Sequence, residues 1–99
     1  MACKYYYIFF RNLSNPLKIK IIEKLKEKSS SVNELSEHLN IEQSKLSHAL
    51  SHLKKCNIVQ VTQDGKKRIY TLNKETIIPM LKIIDKHKSN YCKMECKGR

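Results

Sequence analysis

The chain has 99 residues, enough for one domain that buries roughly 60–70% of its unfolded surface and too few for a second core, which excludes a two-domain enzyme. Its formal net charge of +11, from 20 Lys and Arg against 9 Asp and Glu, exceeds what a structural module needs and points to a polyanion, nucleic acid ahead of an anionic membrane. Four cysteines, Cys3, Cys56, Cys92 and Cys96, are scattered rather than spaced as a disulfide framework, so they read as thiols or metal ligands in a reducing compartment.

The apolar run Tyr5-Tyr6-Tyr7-Ile8-Phe9-Phe10 is shorter than a signal-peptide core and far shorter than a spanning helix. It is therefore expected to form an aromatic N-terminal helix of a cytoplasmic protein with no membrane partner. Ser14 and Asn15 before Pro16 make an N-cap followed by proline at the first helical position. Leu17, Ile21, Ile22 and Leu25 then recur at helical spacing on a helix that ends near Lys28. Ser31-Val32-Asn33-Glu34 reads as a capping box opening a helix of about two turns that buries Val32, Leu35 and Leu39. Asn40 tolerates the left-handed backbone of a tight turn, Ile41 fills the corner, and a third periodic segment follows with Leu46, Leu50 and Leu53 inward. Helix, short turn, helix is the result.

Beyond Cys56-Asn57 the period changes to two. Ile58, Gln60 and Thr62 alternate with Val59 and Val61, Asp64-Gly65 turns the chain, and Ile69-Tyr70-Thr71-Leu72 returns as the second strand of a hairpin with a basic tip, Lys66-Lys67-Arg68. Cys56, just before the first strand, occupies a place where a small apolar residue packs, and reads as core. A last helix is capped by Asn73 or Thr76, because Pro79 fits only close to a helix start. It carries Ile77, Ile78, Leu81 and Ile84 on one face and Lys82, Asp85 and Lys86 largely on the other.

The stretch from Leu13 to Val59 resembles the core of the ArsR/SmtB family of regulators, and the resemblance extends from about Phe9 to His87. Its most specific parts are Leu13-Ser14-Asn15-Pro16, Asn33-Glu34-Leu35-Ser36, and Gln43-Ser44-Lys45-Leu46-Ser47 with Leu50 and Leu53. The resemblance implies a mainly α winged helix-turn-helix with a small β-hairpin, dimeric through its terminal helices, acting on double-stranded DNA as a transcription regulator of the repressor type. Residues 1–88 would form the DNA-binding and dimerisation domain and residues 89–99 a basic, cysteine-containing tail.

In such a fold the segment from Gln43 to Lys55 is the recognition helix. With its leucines buried, Gln43, Ser44, Lys45, Ser47, His48, Ser51 and His52 are left to solvent or DNA. Gln43, Ser44, Lys45 and His48 are the base-reading candidates, since glutamine pairs bidentately with adenine and lysine donates to guanine in the major groove. Ser47 suits a phosphate, and Lys54 and Lys55 suit the DNA backbone or the helix dipole. No acidic residue occurs from Gln43 through Asn57, where an ordinary solvated surface would mix signs. Lys66, Lys67 and Arg68 stand where a wing reaches the minor groove or its phosphates. Tyr5, Tyr6, Ile8 and Phe9, packed with Ile77, Leu81 and Ile84, are the expected dimer interface, because so small a monomer has no room to bury both terminal helices.

No cofactor is required by this reading, and the candidate signal is a soft metal ion or thiol oxidation. Arsenic and lead sensors of the family carry Cys-x-Cys where this chain has Ser31-Val32-Asn33, so that site is absent. Cys92 and Cys96, at i and i+4, would share one helix face if the last helix continued through Tyr91, and Cys3 would complete a trigonal set. The alternative is a frayed basic tail with incidental thiols. His38, His48 and His52 read as surface or DNA-contacting groups, whereas Asp85 and His87, with Glu75, form an incomplete carboxylate–histidine set. No nucleophile, base and carboxylate fall at useful spacing and no glycine-rich phosphate loop exists, which leaves neither an enzyme nor a small-molecule substrate. The competing reading is a winged helix that binds RNA or a protein and has no operator.

Overall fold

The computed structural model describes residues 4–92, and its chain order is α1 (Lys4–Ser14), α2 (Pro16–Glu27), α3 (Val32–Leu39), α4 (Gln43–Lys55), β1 (Val59–Asp64), β2 (Lys67–Leu72) and α5 (Ile77–Asn90). A single extended residue, Asn15, separates α1 from α2, and its side-chain oxygen accepts from the Lys18 amide at 3.0 Å with Pro16 opening the helix. The capping box forms as expected: Glu34 N–H donates to Ser31 Oγ at 3.2 Å and Ser31 N–H donates to the Glu34 carboxylate at 2.9 Å. Asn40 closes α3 in the left-handed conformation, φ 58°, and Ile41 packs against the core at the corner.

Ile21, Ile22 and Leu25 of α2, Leu35 of α3, and Leu46, Ala49, Leu50 and Leu53 of α4 meet under the hairpin. Ile58 and Val59 enter from the head of β1, Tyr70 and Leu72 from β2, and Ile77 from α5. Ser30 exchanges backbone hydrogen bonds with Tyr70, 3.1 and 2.8 Å, tying the α2–α3 loop to the sheet edge. The two strands pair antiparallel from Val59 with Leu72 to Asp64 with Lys67. The two-residue loop is therefore Gly65-Lys66, one residue later than expected, with Gly65 at φ 66° supplying the positive φ that a tight hairpin needs. As a consequence Lys67 and Arg68 belong to β2 and only Lys66 of the basic run sits in the loop.

Thr76 is the N-cap of α5, and Asn73 instead caps the turn before it, accepting from the amides of Glu75 at 2.9 Å and Thr76 at 3.3 Å. Pro79 thus lies in the first turn, where its missing N–H costs nothing. No helix among the described residues is long and apolar enough to cross a membrane.

Candidate nucleic-acid interface

Helix α4 is anchored on one side only. Leu46, Ala49, Leu50 and Leu53 point into the core, which at 3.6 residues per turn leaves Ser44, His48, Ser51 and Lys55 on the opposite face. Gln43, Ser47 and Lys54 flank that face on the α3 side, and the Gln43 amide donates to Asn33 Oδ1, which ties the start of α4 to α3. Lys45 and His52 flank it on the side of α1 and α2. All of these are exposed except His52, which is half-buried. The expected recognition residues are brought together on one helix, but they do not share a single environment.

His52 shows the difference. Its Nδ1 lies 3.3 Å from Lys18 Nζ and its ring packs against His48 with centroids 4.5 Å apart. Partial burial, reinforced by the charges of Lys18, His48 and Lys55, holds its imidazole below the usual range. Cys56 packs against the core as expected, half-buried, and its Sγ also accepts from Asn12 Nδ2 at 3.0 Å. Arg11, Asn15 and Lys18, not singled out for the interface from sequence, line the same side of α4. Periodicity within one helix could not reveal them, since it does not say which helix lies next to α4.

At the wing, Lys66, Lys67 and Arg68 are all exposed but differ in support. Lys67 faces Asp64 across the hairpin, whereas the Arg68 guanidinium stands 5.9 Å from the Tyr70 ring centroid.

On the terminal helices, Phe9 and Ile77, expected at a dimer interface, are 7% and 3% exposed and pack in the chain's own core, where they also line the cavity bordered by Tyr5, Tyr6 and Phe10. Leu81 is half-buried against that core, while Tyr5, Tyr6, Ile8 and Ile84 are exposed. Tyr7, Phe10, Ile83 and Tyr91 are exposed apolar groups as well.

The thiol reading meets a limit. Helix α5 ends at Asn90 and Cys92 lies past its cap, so the helical spacing that would pair it with Cys96 is not met at Cys92. Cys3 and Cys96 fall outside the described residues. Asp85 is engaged by Lys26 at 2.8 Å and His87 packs near Tyr91, and among the described residues no three His, Cys, Asp or Glu side chains cluster to hold a metal ion.

Comparison with known proteins agrees with this architecture. Residues 15–61 match the family model described as "Bacterial regulatory protein, arsR family". The chain is 35% identical over 79 residues to the HTH-type transcriptional regulator Rv0081 of Mycobacterium tuberculosis, covering 79% of this chain and 69% of that protein. The crystal structure of Rv0081 superposes with a TM-score of 0.78 at 32% identity, covering 87% of each chain. The transcriptional repressor SdpR of Bacillus subtilis is 31% identical over 81 residues, 78% of this chain and 90% of the repressor. The cadmium metal-sensor CMTR of Mycobacterium tuberculosis is 25% identical with a TM-score of 0.68, covering 80% of this chain and 81% of the sensor. With a winged helix-turn-helix whose exposed α4 face bears no acid, and with these relatives, the chain belongs to the ArsR family of bacterial regulatory proteins.

Proposed function

We propose that the protein is a transcriptional repressor that occupies double-stranded DNA as a homodimer. The observation that carries the reading is the outward face of α4, where Ser44, His48, Ser51 and Lys55 stand clear of the core, with cations on both flanks and no carboxylate on the helix. A helix so anchored presents its polar side to a major groove, and the wing cations suit the adjoining phosphates. Kinship with a named repressor supports the direction of control.

A dimer is supported by the apolar surface of α1 and α5. Tyr5, Tyr6 and Phe10 border a 420 Å³ cavity against Thr76, Ile77 and Met80, and Tyr6, Phe10, Ile83 and Tyr91 are each more than half exposed. A surface of this kind is covered in stable soluble proteins, and a two-fold axis would set two α4 helices about 34 Å apart on successive grooves. A soft metal ion or an oxidant acting on Cys92 and Cys96, with Cys3, is the proposed signal, supported by kinship with a cadmium sensor.

Selection of bound genomic fragments by the reduced protein, with and without added soft metals, tests the reading. A two-fold duplex site is the expected product, and preference for single-stranded RNA would refute it. Substituting Gln43 or Lys45 should then change the preferred site, at about 1–3 kcal/mol for each bidentate pair removed. An equal loss on preferred and random duplex would reassign both residues to the DNA backbone.

A further inference from the structure

A trough runs between α4 and the corner where α1 meets α2. It comprises two adjoining cavities of 350 and 540 Å³ that share Arg11, Asn15, Lys18 and His52. Lys55 lines the first, Lys45 and His48 line the second, and no Asp or Glu lines either. Among the described residues the ion pairs are Lys24 with Glu27 and Lys26 with Asp85, so none of the trough's lysines or Arg11 has an acidic partner.

Lys18, at the neck where the cavities join, is the ordered cation. Its Nζ donates to Asn12 Oδ1 at 2.7 Å and lies 3.3 Å from His52 Nδ1. Asn12 is only 8% exposed and is itself fixed by donating to Cys56 Sγ. An ammonium has three donors, so one N–H of Lys18 remains for a group in the trough. Arg11, exposed on the last turn of α1 with its guanidinium 5.5 Å from the Tyr7 ring centroid, flanks it from the other wall. A half-buried cation held by neutral partners, with more cations around it, favours an anion over any neutral ligand.

We propose that this trough receives a backbone phosphate of the bound DNA, with Lys18 as its direct ligand and Arg11 and Lys55 beside it. The interface then extends from α4 onto the α1–α2 corner. The inference rests on the duplex-DNA reading above and adds residues outside α4 and the wing. A strand is favoured over a free phosphate ion because the cations are spread along an open trough instead of converging, and because His48 and Lys55 belong both to the trough and to the outward face of α4.

The test is the dependence of duplex affinity on NaCl for the full chain, comparing wild type, Lys18→Gln, Arg11→Gln, Lys18→Arg and the triple alanine variant of Lys66, Lys67 and Arg68. Removing one phosphate ligand from each protomer of a bound dimer should make the slope of log K against log salt shallower by about 1.8. Lys18→Gln should show that change and Arg11→Gln, beside the same phosphate, a smaller change of the same sign, equally on preferred and random duplex, and Lys18→Arg should restore the slope. Slopes equal to wild type in both glutamine variants, with a shallower slope in the wing variant, would overturn the trough and leave the DNA reading standing. Absence of salt-dependent duplex binding by the wild type would overturn both. Titration of the DNA-free protein with inorganic phosphate at constant ionic strength separates the sources. Saturable shifts of the His48 and His52 imidazole resonances, with displacement of DNA, would assign the trough to a free anion and overturn the strand. Thermal unfolding checks that Lys18→Gln folds; should it not, Arg11→Gln, at an exposed side chain, carries the test alone.

Discussion

Replacing Lys66, Lys67 and Arg68 together by alanine tests how the wing uses its charge. All three side chains are exposed, so their removal takes no apolar group out of the core. The folding cost should therefore stay within about 0.5 kcal/mol, plus roughly 0.5–1 kcal/mol for the Arg68 guanidinium over Tyr70. A bound dimer carries two wings, so if each cation neutralises one phosphate the slope of log K against log salt becomes shallower by about 5.4 for the six. Raising salt from about 50 to about 200 mM, a factor of about four, then costs the wild type roughly 2,000-fold more affinity than the variant. Fluorescence anisotropy with a preferred and a random duplex reads both slope and affinity. The variant should lose affinity for both duplexes alike, because phosphates and the minor groove carry little sequence information. An unchanged slope, or a loss confined to one sequence, would refute the assignment. The structure also ranks the three residues: Lys66 is in the loop, Lys67 stands opposite Asp64, and Arg68 is held over an aromatic ring. Single alanine variants should accordingly show the largest slope change at Lys66 and a smaller one at Lys67, whose charge already acts on the Glu34 carboxylate.

Ser31→Ala removes the hydroxyl that caps α3 and should lower stability by about 1 kcal/mol, seen as a fall of about 4–8 °C in Tm. The Ser31 amide, which donates to Glu34, holds that carboxyl below the usual carboxylate range; its contribution to stability is present above the ordinary carboxylate value and is lost as pH falls through the lowered one. Urea midpoints measured from neutral to acid pH should show this loss in the wild type and lack it in Glu34→Gln. His52 is also lowered, by partial burial first and then by Lys18, His48 and Lys55, with Arg11 of α1 on the facing wall and no carboxylate in the trough. The unfolded chain therefore binds this proton first, so stability is full above the ordinary imidazole value and declines as pH falls through the lowered one. Lys18→Met should move the His52 NMR titration point upward, and an unmoved point would remove Lys18 as a cause. Sedimentation should find a dimer at micromolar concentration for the wild type and a monomer for the Tyr6→Glu, Phe10→Glu variant; a monomeric wild type would refute the terminal-helix interface.

Local chemistry is what the sequence by itself determined. Ser31 and Glu34 at N-cap and N3, Pro16 behind Asn15, Asn40 at a left-handed C-cap and leucines three and four apart in α4 each name a structure within a few residues of chain, and each element is found where its signal lies. The residues that α4 leaves outside the core follow from the same periodicity, so the outward side of the helix-turn-helix was legible. Packing between elements was not. The aromatic run of α1 reads as one apolar block, yet packing divides it, drawing Phe9 into the core and leaving Tyr6 and Phe10 outside. That division depends on where α2 and α5 lie, and no spacing within α1 encodes it. Likewise Lys18 reads as one more solvated lysine until α4 is laid beside α2; then Asn12 of α1, six residues upstream, and His52, 34 residues downstream, fix its ammonium between them. A hydrogen bond between distant residues leaves no period in a sequence. Backbone propensity and amphipathic spacing act over a few residues, so they show in a single chain read from end to end, whereas the surroundings of a charge are set by whichever helices the core brings together.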